Sequence, residues 1–155
     1  MEAYSQRELD IARLAAYIDG EGTINIEHSS KGRHGNRAYK LRLSIPNTDP
    51  RLPLWCRDNF GGQVRVNHKA SARRRELLVW VIGQKSAAAL LAECLPFFVI
   101  KREQAELGIA FGETFINENR SRKGLPEQVR NEREDLRTKM VEIHKFRPDP
   151  EVKSA

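Results

Sequence analysis

The sequence predicts an α+β protein built on one four-stranded antiparallel sheet, with helices packed against one face of that sheet. The chain has 155 residues, of which 39% are apolar and 31% charged, and this suits one core of ordinary size. A unit of one helix followed by two strands occurs twice, which suggests a pseudo-twofold arrangement. Apolar and polar residues alternate along the strands, so the second face of the sheet is left for a ligand.

The first helix begins at Ser5, which is expected to form a capping box with Glu8. Apolar residues then recur at helical spacing, and the helix is predicted to stop at Gly20, with Gly22 just beyond it. Its core-facing residues are Ile11, Leu14, Ala15 and Ile18. A separate row of small residues, Ala12, Ala16 and Gly20, repeats every four positions and allows another backbone to approach closely.

Period-two alternation predicts three strands, and an apolar run predicts a fourth. One basic turn joins the first strand to the second, and another joins the third to the fourth. The strands span residues 23–29, 39–45, 63–67 and 77–82, and the turns span 31–37 and 69–75. The residues predicted to point into the core are Ile24, Ile26, Leu41, Leu43, Ile45, Val64 and Val66. The fourth strand is apolar on both faces, so its pattern does not orient it.

Four further helices are predicted. The second helix has Asp49 as its cap and Pro50 in its first turn, and it ends at Gly61. The others are an Ala/Leu-rich helix at 85–95, a longer helix at 100–119 and a charged helix at 127–146 with a thin apolar stripe. We expect residues 1–119 to form the core domain and residues 120–155 to add a linker, a helix and a tail.

Several classes of protein are disfavoured by composition. No apolar run reaches the roughly 18 residues of a membrane span, and the charged first thirty residues do not resemble a secretion signal. Cys56 and Cys94 are far apart, and the four histidines lack metal-ligand spacing. We therefore expect an intracellular protein of the cytoplasm or an organelle, without a membrane partner or a small-molecule cofactor.

The basic charge is concentrated in one segment. Residues 31–85 hold 13 basic and 3 acidic side chains, whereas residues 1–30 hold 2 and 6, and residues 86–155 hold 12 of each. A segment of this charge attracts phosphate backbones. Charge alone leaves open a solvated basic face as the alternative.

The most unusual chemistry lies at the end of the first helix, in Asp19-Gly20-Glu21-Gly22. The carbonyl groups of a helix C-terminus carry partial negative charge, which disfavours two carboxylates there. A hard divalent cation would offset that repulsion, since Mg²⁺ prefers carboxylate oxygen and water. From these four residues alone, a metal site and a solvated acidic turn are equally good interpretations.

Residues 14–22, Leu-Ala-Ala-Tyr-Ile-Asp-Gly-Glu-Gly, resemble the nonapeptide that names the LAGLIDADG homing endonucleases. The opening Leu-Ala, the fifth-position Ile, the sixth-position Asp, the acid in eighth place and the closing Gly all match. Residues 96–107 resemble the family's Pro-aromatic-apolar-Lys stretch, which follows the fourth strand. The resemblance covers about residues 6–117 and implies the family's fold, in which a four-stranded antiparallel sheet binds DNA.

Only one nonapeptide is present, so the resemblance implies a homodimer. It places the dimer contact along Ala12, Ala16, Asp19 and Gly20. Twofold symmetry would bring two copies of Glu21 together, and Glu21 and the backbone carbonyl of Gly20 would hold Mg²⁺ over the scissile phosphates. Mn²⁺ or Ca²⁺ is expected to substitute for binding.

The resemblance also implies three further catalytic residues. Asn47 lies where relatives keep a polar residue that positions water, Arg51 where they keep a basic residue near the scissile phosphate, and Lys101 where they keep a Lys that balances charge at the cleaved phosphate. The structural alternatives are a helix-cap neighbour for Asn47, a surface charge for Arg51 and a solvated residue for Lys101.

The DNA-facing residues follow from strand alternation and from the basic turns. Residues expected to face DNA from the strands are Asn25, Glu27, Ser29, Lys40, Arg42, Ser44, Gln63, Arg65 and Asn67. Those in the turns are Lys31, Arg33, Arg37, Lys69 and Arg73. A two-stranded ribbon fits the major groove, where Arg reads guanine, Asn and Gln read adenine, and Glu reads cytosine. The turn residues are expected to meet phosphates.

The sequence therefore predicts a site-specific, metal-dependent DNA endonuclease, a homing endonuclease that cuts both strands of a long near-palindromic target. The alternative is a DNA- or RNA-binding maturase or regulator of the same fold that does not cleave. A purely structural dimer would not explain the basic segment at 31–85.

Overall fold

The computed structural model of the protein describes residues 3–116 and 124–146. The helices are α1 (Gln6–Glu21), α2 (Arg51–Phe60), α3 (Gln84–Cys94), α4 (Arg102–Glu113) and α5 (Glu127–Lys145), with a short 3-10 helix at Leu95–Phe97. The strands are β1 (Thr23–His28), β2 (Tyr39–Asn47), β3 (Gln63–His68) and β4 (Leu77–Gly83). The predicted α+β class and the repeated helix-strand-strand order are confirmed.

The four strands form one antiparallel sheet in the order β1-β2-β4-β3. Residues paired across two strands share a face, so Ile24 opposite Leu43 and Ile26 opposite Leu41 define the inner face. Trp80 lies opposite both Ile45 and Val64, which orients β4. Leu78, Trp80 and Ile82 of β4 therefore point towards the helices.

The inner face of the sheet and the buried side of α1 form the core. The side chains of Leu14, Ile18, Leu43 and Ile45 are fully buried, as is Trp80, whose indole N–H donates to the carbonyl oxygen of Gly61 at 2.8 Å. Burying one such aliphatic side chain stabilises the fold by roughly 1.5–3 kcal/mol.

The predicted capping box at the start of α1 is present. The amide of Glu8 donates to the hydroxyl of Ser5, and the Glu8 carboxylate accepts from the Ser5 amide at 2.8 Å. The helix runs to Glu21, one residue further than expected, and the Gly22 amide donates to the carbonyl oxygen of Ile18 at 3.0 Å. A Cβ at Gly22 would lie 2.7 Å from the Cα of Ile18, so only glycine fits there.

Two strand boundaries differ from the sequence prediction. The second strand continues through Pro46 to Asn47. Pairing with β1 ends at Ser44, so β2 is unpaired on that side beyond this point and tolerates a residue without an N–H. On the edge strand β3, Val64 is half-buried and Val66 lies opposite Leu78, so both point inward as predicted. Val66 is nevertheless 51% exposed, because little packs over it at this edge.

The bounds of two helices also differ. The second helix begins at Arg51, with Pro50 outside it, and the carboxylate of Asp49 accepts the Arg51 amide at 3.0 Å. The fourth helix begins at Arg102 rather than at residue 100 and ends at Glu113. The rest of its predicted span, to residue 119, lies partly outside the described residues.

Helix α5 packs against α4, β1 and β2. Val129 and Met140 from its predicted apolar stripe are buried. Arg133 is also buried: its Nε donates to the hydroxyl of Thr114 at 2.8 Å and its guanidinium lies over the rings of Phe111 and Phe115. The division of the chain at residue 119 stays a prediction, and the predicted tail lies outside the described residues.

Within residues 3–116 and 124–146, no helix combines the length and the apolar character needed to cross a bilayer.

Candidate active site and nucleic-acid interface

The acidic turn at the end of α1 separates its two carboxylates. The carboxylate of Asp19 accepts hydrogen bonds from the backbone amides of Val99 at 2.8 Å, Ile100 at 3.2 Å and Lys101 at 2.9 Å. These amides lead into α4, whose N-terminus attracts negative charge. Asp19 therefore holds the segment that leads into α4, a helix that starts about eighty residues later.

Lys101 makes the reciprocal contact. Its Nζ donates to the carbonyl oxygens of Ile18 at 2.7 Å and Asp19 at 3.0 Å, in the last turn of α1. The sequence lacks a basic residue in that turn, and Lys101 supplies the missing positive charge from another element. Burial lowers the pKa of the half-buried Lys101 ammonium, and the neighbouring Asp19 carboxylate partly offsets this effect.

Glu21, in contrast, is exposed. One oxygen of its carboxylate accepts a hydrogen bond from the side-chain amide of Asn47 at 3.0 Å. The side-chain oxygen of Asn47 accepts the backbone amide of Asp49 at 2.8 Å, which fixes the direction of the Asn47 amide. The structure therefore brings together Glu21 and Asn47, which the sequence prediction placed in one site.

Arg51 lies next to this pair. Its guanidinium contacts the carboxylate of Asp49, with Nη2 at 2.6 Å from Oδ2, and this contact holds the pKa of Asp49 at about 2. The Arg51 side chain is 89% exposed. A groove of about 420 Å³ between α1 and α2 is lined by Arg13, Tyr17, Asn47, Asp49, Arg51, Leu52 and Trp55.

The groove contains residues that the sequence prediction missed. Tyr17 packs edge-on against Trp55, with ring centroids 6.0 Å apart, and the guanidinium of Arg13 lies 5.7 Å from the Trp55 ring centre. The only sequence signal was the spacing of Arg13 and Tyr17, which places them one turn apart on the exposed side of the first helix.

The row of small residues on α1 is open. Ala16 and Gly20 are exposed, Ala12 is half-buried, and a Cβ added at Gly20 would meet nothing within 4 Å. The neighbouring Leu9 is 48% exposed. This side of α1 leaves room for the close approach of another helix.

Within the described residues, one chain offers few metal ligands. In the two described stretches, no three His, Cys, Asp or Glu side chains come together in a group that could hold a metal ion. Asp19 is occupied by the amides before α4, which leaves Glu21 as the acidic side chain of the turn that can bind a cation.

The outer face of the sheet carries the predicted polar strand residues. Pairing places Asn25 opposite Arg42, Glu27 opposite Lys40, Gln63 opposite Val81 and Arg65 opposite Val79, with Ser44 opposite Thr23 on the same face. The register shifts between Val66 and His68, so the strand phase that predicted Asn67 to point outward is interrupted there.

The turns and strand ends show a second group of differences. The turn residues Lys31, Arg33, Lys69 and Arg73 are exposed. Ser29 lies beyond the end of β1, where its hydroxyl accepts the Ala38 amide at 3.0 Å. Arg37 is half-buried because its Nη1 contacts Nδ1 of His28 at 2.6 Å, so it folds back onto its own hairpin.

Two outward arginines have partners on the same face. Nη1 of Arg42 lies 3.0 Å from Oε1 of Glu27, and Nη2 of Arg65 donates to Oε1 of Gln63 at 3.0 Å. A groove of about 520 Å³ is lined by both pairs and crosses Val81 and Gly83 of β4.

The chain has the fold of the LAGLIDADG homing endonucleases, and the fold implied by the nonapeptide is confirmed. The solved structures that it resembles include the homing endonuclease I-CvuI bound to an I-CreI target, with a TM-score of 0.73 and 21% identity over 92% of this chain and 87% of that one. The archaeal intron-encoded endonuclease I-Vdi141I, complexed with DNA, gives a TM-score of 0.71 and 12% identity over 93% and 91%.

The LAGLIDADG endonuclease I-SmaMI, bound to cleaved DNA, is a longer chain. It gives a TM-score of 0.64 and 17% identity over 90% of this chain, which spans 46% of I-SmaMI. No protein-family model and no curated protein matches the sequence.

Proposed function

We propose that the protein is a site-specific DNA endonuclease that acts as a homodimer, with Mg²⁺ as its cofactor, and makes a double-strand break in a long near-palindromic target. The observation that carries this proposal is the exposed carboxylate of Glu21, held by Asn47 at the end of a helix whose small-residue face is open. The similar folds of I-CvuI, I-Vdi141I and I-SmaMI, all solved with DNA, support it.

The homodimer follows from the open side of α1. Ala12, Ala16 and Gly20 allow the α1 helices of two chains to pack closely, and a twofold axis along this contact brings both Glu21 carboxylates to the same end. Two carboxylates at one end would repel each other in the absence of a cation. The dimer thus completes a site of which a single chain holds half.

The residues present fit Mg²⁺. This ion is held by one or two carboxylates and substrate phosphates and keeps several waters, so an exposed Glu21 from each chain and the Gly20 carbonyl suit it better than a protein cage would. When bound, Mg²⁺ supplies Lewis-acid stabilisation of the cleaved phosphate and lowers the pKa of bound water.

The remaining side chains have separate roles. Asn47 orients the carboxylate of Glu21 through its amide. The ammonium of Lys101, fixed by the carbonyls of α1, places positive charge beside the acidic turn. Arg51 is exposed in the adjoining groove, where exchanging its contact with Asp49 for a DNA phosphate would bring its guanidinium to the backbone.

DNA binding is assigned to the outer face of the sheet. Its strand residues carry hydrogen-bonding groups in register, as base recognition in the major groove requires. The exposed basic residues of the two turns flank that face and would contact phosphates. Base recognition by the strands and phosphate contacts by the turns together account for the concentration of positive charge in residues 31–85.

The proposal is tested with a random-sequence DNA library. The protein is incubated with the library and Mg²⁺, and the cut ends are sequenced, with Glu21→Gln as the control. Cut ends that converge on one near-palindromic sequence, and that vanish in the control, are expected. Specific binding without cleavage would instead favour the binding-only maturase or regulator, and the absence of any selected sequence would overturn both.

A further inference from the structure

The outer face of the sheet presents two arginines that are already held in place. Arg42 is bound by Glu27 and Arg65 by Gln63, each at 3.0 Å. We propose that Glu27 and Gln63 are positioning residues, which fix Arg42 and Arg65 as readers of guanine and do not read bases themselves. This inference rests on the proposed DNA-binding function of the same face.

The first pair crosses two strands. Glu27 is paired in register with Lys40, so its contact with Arg42 runs diagonally from β1 to β2. Both side chains are about two-fifths exposed, at 42% for Glu27 and 40% for Arg42, so a ligand on this face can reach them. A carboxylate facing DNA repels phosphate unless a cation neutralises it, and Arg42 is that cation.

The contact leaves the guanidinium suited to one base. Arginine has five N–H groups, and Nε of Arg42 is buried, with no partner among the described residues. One N–H of Nη1 points to Glu27, which leaves N–H groups on Nη1 and Nη2 at the exposed end. Two parallel N–H groups match the O6 and N7 acceptors of guanine.

The second pair repeats the arrangement with a neutral acceptor. Gln63 and Arg65 are two residues apart on β3 and therefore share the outer face. Both pairs line the groove of about 520 Å³ that crosses β4, where Gly83 has no side chain to separate them. The two arginines therefore face one continuous surface of the ligand.

The alternative is that Glu27 accepts a hydrogen bond from cytosine and Gln63 bonds adenine, as residue type predicts. In that case each residue has to leave its arginine when DNA binds. The two possibilities differ in coupling: a positioning residue has no effect on base preference once its arginine is gone, whereas an independent reader keeps its effect.

The test measures DNA affinity in Ca²⁺ for the target selected from the random library and for all its single-base variants. Arg42→Ala is expected to abolish the preference for one G·C pair in each half-site. Glu27→Gln should weaken the preference at that same pair by about tenfold. When Glu27→Gln is combined with Arg42→Ala, the preference at that base pair should fall no further than in Arg42→Ala alone. The matched change in the second pair of residues is Gln63→Glu, which replaces the neutral acceptor of Arg65 with a carboxylate. It should strengthen the preference at the base pair that Arg65 reads.

Other outcomes overturn the proposal. If Glu27→Gln changes the preference at a different base pair, or keeps its effect when Arg42 is alanine, Glu27 reads a base directly. If it weakens all sequences equally while its thermal unfolding matches wild type, Glu27 does not set specificity. A wild-type protein that selects no sequence contradicts the proposed function itself, whereas a selected target without coupling contradicts only this inference.

Discussion

The two sides of α1 differ in what they contact. One side, with Ile11, Leu14, Ala15 and Ile18, is buried against the protein's own sheet and helices. The opposite side, with Leu9, Ala16 and Gly20, is exposed. The same division separates the two carboxylates at its end, since Asp19 accepts the amides before α4 and Glu21 is exposed beside Asn47. One helix thus combines a face that stabilises the chain with a face that is available for function.

Leucines on the two sides should differ most in stability. Leu14→Ala removes a fully buried side chain and should lower the free energy of unfolding by about 2–5 kcal/mol. Leu9→Ala removes a side chain that is 48% exposed and should cost about 0.5 kcal/mol or less. Urea denaturation at a protein concentration low enough to keep the chain monomeric measures both. Equal losses of unfolding free energy in the two variants would mean that the two sides of α1 do not differ in burial.

The two carboxylates should differ in the same way. Asp19→Asn weakens the acceptor of three backbone amides in the segment before α4, so the free energy of unfolding should fall by about 1–3 kcal/mol. Glu21→Gln should leave it unchanged or slightly raised, because the exposed Glu21 lies where the helix dipole disfavours its charge. Thermal unfolding of both variants checks this. A larger loss in Glu21→Gln would assign Glu21 to folding.

Neighbouring alanines separate folding from assembly. Ala15 is fully buried, so Ala15→Leu should overpack the core and destabilise the chain by about 1–3 kcal/mol. Ala16 is exposed, so Ala16→Leu should leave the folding of the single chain intact and weaken the dimer by about the same amount. Sedimentation equilibrium measures the second effect. A wild-type chain that stays monomeric at micromolar concentration, with or without DNA, would remove the basis for this prediction.

The smallest effect concerns a thiol beneath the buried side of α1. Cys94 is fully buried, its Sγ lies 3.9 Å from the carbonyl oxygen of Ile11, and burial raises its pKa to about 12. Since the thiolate is the reactive form, labelling at pH 8 should be very slow in the folded protein and fast in urea. Leu14→Ala should accelerate it. Labelling of the folded wild type at the rate of a free thiol would contradict this burial.

Local patterns predicted most of the fold. Two confirmed predictions depend on neighbours a few residues apart. They are the capping box of Ser5 and Glu8 and the alternation of Ile24 with Ile26. The start of α4 was mispredicted because the segment before it is held by Asp19, which lies far away in sequence. The exposure of Val66 was missed for a related reason: alternation gives the direction of a side chain, whereas burial depends on what packs over it.

The candidate site was predicted in part. Glu21 and Asn47 were each identified, and the structure adds the hydrogen bond that joins them. Sequence could not show that Lys101 contacts the carbonyls of α1, or that Glu27 contacts Arg42, since both contacts depend on how separate elements pack. The roles assigned to these residues in cleavage and recognition stay predictions.

The central claim, that Glu21 serves catalysis and not folding, is tested most directly by the cleavage rate of Glu21→Gln. Wild type and variant are compared at the same Mg²⁺ concentration on the target selected from the random library, with DNA affinity measured in Ca²⁺. We expect the cleavage rate to fall by about a hundredfold or more, which corresponds to about 2.7 kcal/mol of lost transition-state stabilisation, while affinity stays within about threefold. A variant that cuts at the wild-type rate would contradict the account.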